Sequence, residues 1–74
     1  MHEKSLSYAV AFGLLETNDE FILGRKLYKY ISTAYDYKSE LETVTLITVY
    51  NVNTCKYEVI NVDSSVGDKY VIIC

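Results

Sequence analysis

From Ser5 to Leu14 bulky and small side chains alternate strictly, with Leu6, Tyr8, Val10, Phe12 and Leu14 on one set of positions and Ser5, Ser7, Ala9, Ala11 and Gly13 on the other. A period of two marks a strand, whereas a helix over the same residues would be apolar all round. The alternation predicts a strand over 5–14 with one bulky face and one face of small side chains. At Thr17-Asn18-Asp19-Glu20 the pattern changes to the form of a capping box, in which the Thr17 hydroxyl accepts from the Glu20 amide and the Glu20 carboxylate reaches back. Turned at about 100° per residue, Phe21, Leu23, Leu27, Tyr28, Tyr30 and Ile31 fall on one side and Arg25, Lys26 and Lys29 on the other. A single strand would put Arg25 and Lys29 in line with Phe21, Leu23 and Leu27, so the spacing predicts a helix from about Asn18 to Ala34. Gly24 costs such a helix roughly 1 kcal/mol relative to Ala, and close approach to a sheet is the natural reason for it.

Beyond a polar stretch from Asp36 to Glu42, β-branched residues dominate, and strands are expected at TVTLITVY (43–50), KYEVINV (56–62) and KYVIIC (69–74). The 51–56 segment reads as a hairpin loop and 63–68 as a second turn. These elements give an α+β domain of order β-α-β-β-β, a single small globular domain over 1–74, with one amphipathic helix on a mainly antiparallel four-stranded sheet. Residues 44–50 are apolar on both faces, and so is the last strand. One helix covers only one face, so self-association through the sheet or its edge is expected.

Composition sharpens this picture. The chain has 74 residues, half of them hydrophobic, which suits a folded domain of marginal size rather than a disordered one. Its formal charge of −3 argues against a surface that grips phosphates all over. No apolar run reaches the ~20 residues that span a bilayer, and the first residues lack a secretory cleavage pattern, so a cytoplasmic protein with reduced cysteines is expected and no membrane partner. Abundant Tyr, Asn, Ile and Lys without Pro or Trp fit an AT-rich source such as a phage or mobile element.

Chemistry is sparse. The one histidine, His2, stands next to the start of the chain, where backbones fray, and no serine has a neighbouring base. There is no phosphate-cradling glycine loop and no metal-ligand spacing, so no enzyme activity, cofactor or metal is expected. If the last two strands paired across 63–68, Cys74 would come beside Tyr57 and close to Cys55, which makes a disulfide or a shared site conceivable, although two unrelated reduced thiols fit better. Cys55 also sits in a loop where glycine is common.

The remaining feature is RKLYKYISTAYDYK, residues 25–38. On the helical reading Tyr28 and Tyr30 face the core, while Tyr35 and Tyr37 lie in the following loop as exposed partner-binding residues. The expected function is a small non-enzymatic protein that binds, and so inhibits or regulates, another protein, acting as a homo-oligomer. Two alternatives are a nucleic-acid binder using Arg25, Lys26, Lys29 and Lys38 on a basic helix face, and a small-molecule or nucleotide binder with its pocket between subunits.

Overall fold

A computed structural model describes the backbone from His2 to Cys74 and the side chains from Lys4 onward. The chain forms one antiparallel sheet of six strands in the order β1-β6-β2-β3-β4-β5. Its elements are β1 (His2–Ser5), α1 (Leu6–Ala11), β2 (Glu20–Leu23), β3 (Lys26–Ser39), β4 (Glu42–Asn51), β5 (Lys56–Asn61), a 3-10 turn (Ser65–Asp68) and β6 (Tyr70–Ile73). The expected β-α-β-β-β domain, one amphipathic helix on a four-stranded sheet, does not form. Strand and helix are exchanged in the first half of the chain.

The segment read as a strand is where α1 lies. Ser5 caps it, its hydroxyl accepting from the Tyr8 amide at 3.2 Å. Leu6 and Ala9, three residues apart, are fully buried, and Val10 packs beside them. The end is closed by two bonds, Gly13 N–H to the Val10 carbonyl and Leu14 N–H to the Ala9 carbonyl at 2.9 Å, the pairing of a Schellman motif with Gly13 at φ +65°. Apart from Ser7 the helix is apolar: it is only six residues long, and its outer side carries Tyr8 stacked on Phe12.

The segment read as a helix is a hairpin. Gly24 and Arg25 both have positive φ, +58° and +68°, and together they make a two-residue turn between β2 and β3. A Cβ built on Gly24 meets nothing within 4 Å, so its backbone conformation, not close approach to a sheet, accounts for the glycine. The turn also resets the phase of the alternation. Phe21 and Leu23 share a face with Tyr28, Tyr30 and Lys26, while Lys29 goes with Glu20 and Ile22. The poor strand pattern exists only if the strand runs straight through Gly24. No capping box forms at 17–20; Asn18 instead takes φ +75°, and the Thr17 hydroxyl donates to the Ile31 carbonyl at 3.1 Å.

The three C-terminal strands form where the β-branched runs lie, but not as a meander. After β5 the chain crosses the sheet through Val62 and the 3-10 turn, and β6 enters between β1 and β2. His2, expected to fray, lies in the backbone of β1 opposite Ile73, and its side chain is outside the described residues. Helix, crossover and the Leu15 loop all lie on one face, over Phe21, Ile47, Val49 and Val71, each fully buried. Each such side chain contributes roughly 1.5–3 kcal/mol.

Buried Asn51 holds the β4–β5 loop: its side-chain Oδ1 accepts from the backbone amides of Asn53 and Thr54, and its side-chain Nδ2 donates to the Glu58 carboxylate at 2.7 Å. The loop ends on Cys55 at φ +57°. A Cys55→Gly variant is expected to gain about 1 kcal/mol of stability in urea melts by removing the left-handed strain. Gly67→Ala is expected to lose roughly 3 kcal/mol or more, because its Cβ would stand 1.7 Å from the Val62 carbonyl oxygen. The reverse order of stabilities would contradict this backbone.

Candidate interaction surface

Strands β3 and β4 run on past the helix as a two-stranded ribbon. Tyr35 is 61% exposed, Tyr37 76%, and Leu41 at the tip fully exposed. Both tyrosines stand on strand β3 rather than in a loop, and the register places them opposite Thr45 and Thr43. A bulge at Ile31, between the Tyr30 and Ser32 pairings, shifts the alternation so that Thr33, Tyr35 and Tyr37 continue the helix-covered face of Tyr28 and Tyr30. Tyr30 and Thr33 share a hydroxyl hydrogen bond across that bulge. The core runs out beneath them: Ile47 is the last fully buried residue of β4 toward the tip, and Tyr35 borders a cleft of about 310 Å³ with Ser7, Val10, Ala11 and Val62.

The ribbon also exposes backbone. Thr45 turns its polar groups away from β3, its N–H donating to the Asp63 carboxylate at 2.7 Å and its carbonyl accepting from Val62 at 2.9 Å. Its partner Tyr35 is therefore a position that makes no ladder bonds to β4, and by alternation so are Thr33 and Tyr37. The N–H and C=O of these three residues point to the other edge of β3. There β2 ends its pairing at Lys29, and Asn18 and Asp19 fill the edge only as far as Tyr30. Beyond Ile31 no strand lies alongside among the described residues. A second bulge, at Lys38, and the Lys38–Asp36 ion pair at 3.0 Å mark the far end of this free edge.

Among the described residues the opposite sheet face has no covering element. Ile22, Leu27, Leu46 and Ile72 are half-buried on it, and Tyr57, Val59 and Tyr70 are well exposed. Tyr50 and Tyr57 meet edge to face at 5.0 Å across β4 and β5. The neighbouring Cys55 thiol, and then desolvation, hold the Tyr50 pKa above the usual tyrosine value. On the covered face burial, and then the Glu58 carboxylate, raise that of Tyr28.

The four cations of the nucleic-acid alternative are not brought together. Arg25 is in the β2–β3 turn, Lys26 and Lys29 point to opposite faces, and Lys38 is at the ribbon end beside Asp36. The basic helix face is absent because the helix is. Cys55 and Cys74 are both exposed and free, and Cys74 bonds to Glu20 rather than lying beside Tyr57, since β6 and β5 are not neighbours. Two other clefts, about 370 Å³ by Lys26, Tyr28, Glu58 and Lys69 and about 390 Å³ by Lys4, Tyr8 and Leu14, bring together no three metal-ligating side chains among the described residues. Sequence reasoning named Tyr35 and Tyr37 but passed over Leu41 and the free edge. Leu41 was visible as a lone apolar residue in a charged stretch, whereas the edge depends on where β2 stops.

No protein-family model, curated protein or solved structure significantly matches the chain.

Amide exchange is expected to alternate along the ribbon, with Thr33, Tyr35 and Tyr37 exchanging at least about tenfold faster than Ala34 and Asp36. Uniform protection from 33 to 37 by NMR would contradict the free edge.

Proposed function

We propose that this chain is a small non-enzymatic protein that binds an extended segment of another protein along the free edge of β3 and so blocks or modulates that partner. One observation carries the reading: Tyr35 and Tyr37 stand exposed on the same residues whose backbone N–H and C=O groups have no neighbouring strand among the described residues. Main-chain bonds give such a complex its affinity and the flanking side chains its selectivity. Tyrosine suits the contact, with large area, a polar tip and few torsions to freeze. Asp36, Glu40 and Glu42 outweigh Lys38 along the ribbon, which favours a partner segment with basic residues. No helix among the described residues is long and apolar enough to cross a membrane. The cytoplasm, where both free thiols stay reduced, is the proposed location.

The test is capture by the immobilised protein from lysate of its source cells, comparing wild type with Y35A/Y37A and with Thr33→Pro, which removes one outward N–H and keeps both tyrosines. A bound protein is expected to fall at least about tenfold in both variants while NMR spectra show the fold intact. Equal recovery by all three would remove the assignment. Recovery of nucleic acid, released as salt rises, would replace protein binding by the nucleic-acid alternative.

A further inference from the structure

We infer that a second copy of this chain covers the open face of the sheet, giving a homodimer of two six-stranded sheets packed face to face. This surface is separate from the β3 edge of the proposed function, so either can fail without the other.

The chain's own core is small. Its largest fully buried side chains are Phe21, Leu6, Ile47, Val49 and Val71, and all of them lie on the helix side of the sheet or in the helix. On the other side Ile72, Ile22 and Leu27 stand side by side across β6, β2 and β3, Leu46 lies further along β4 opposite Ala34, and among the described residues no element is placed over them. Exposed apolar surface of this kind on a domain of marginal size calls for a cover. The whole molecule exposes 5129 Å², above the roughly 4,700 Å² expected of a compact monomer of its mass.

Size and charge favour a copy of the same chain as that cover. The two longer dimensions, 36 and 25 Å, bound a face of roughly 900 Å², and a stable dimer buries about 800 Å² on each partner. Sheets stack face to face at ~10 Å with their strands nearly aligned, so the open face of one sheet can meet its own image in a second copy. The charges near the middle of the face, Glu20 and Lys29, are direct cross-strand partners of opposite sign, so a two-fold arrangement sets no excess of like charge against itself.

Light scattering after gel filtration at tens of micromolar tests this. Wild type is expected to have a mass of roughly 17 kDa, twice the 8.5 kDa chain. The V59K/Y70K variant alters two side chains that are 65% and 66% exposed, at opposite ends of the face, and is expected to run at 8.5 kDa with an unchanged circular dichroism spectrum. A single Tyr57→Lys substitution is expected to shift the equilibrium the same way. Y35A/Y37A is expected to stay dimeric. A wild-type mass of 8.5 kDa would overturn the inference. So would a dimer that survives V59K/Y70K, or one lost only in Y35A/Y37A.

Discussion

The sheet depends on the pairing of β6 with two strands from the other end of the chain. Val71 stands between Lys4 of β1 and Leu23 of β2, fully buried under the helix, and the Lys69 carbonyl just before it accepts from the Leu6 amide at 2.8 Å. The β2–β3, β3–β4 and β4–β5 connections are local hairpins. Those that join β6 are not: His2 lies opposite Ile73, and closing so long a loop costs chain entropy before any contact offsets it. That cost is met by putting β6 in the sheet interior, where both its edges are paired and Val71 loses all exposure. Because the crossover from β5 uses the helix side, the other face is left open. Both proposed surfaces follow from this arrangement, one as the open face and the other as the edge where short β2 gives out beside long β3.

What the sequence made legible was local. The β-branched runs marked β4, β5 and β6 to within a residue or two, and the 51–56 loop was recognisable from its polar residues. The first half misled because two periodicities were each read without their punctuation. Ser5 as cap and Gly13 as terminator enclose a helix so short that its apolar outer side is no obstacle, and an alternation of bulky and small residues fits it as well as a strand. Between Phe21 and Ile31 a helical stripe and a hairpin bury nearly the same residues. Gly24-Arg25 decides between them, since a two-residue turn moves every later side chain to the other face.

The candidate site was half legible for the same reason. Exposure of Tyr35 and Tyr37 was expected from their place after a helix; they are exposed because the ribbon outruns its cover. No local pattern tells which backbone groups of β3 lack a partner, because that depends on the Ile31 bulge, on the end of β2 and on the Asp63 contact to Thr45. Strand order was beyond the sequence pattern as well, since β6 is equally apolar whether it pairs with β5 or enters between β1 and β2.

Cross-strand nuclear Overhauser effects in a uniformly labelled sample test the placement of β6 most directly. Contacts from the backbone of Val71 to both Leu23 and Lys4, with none from β6 to β5, are the result the account predicts. Contacts joining β6 to Tyr57 and Val59 would restore a C-terminal meander and contradict it.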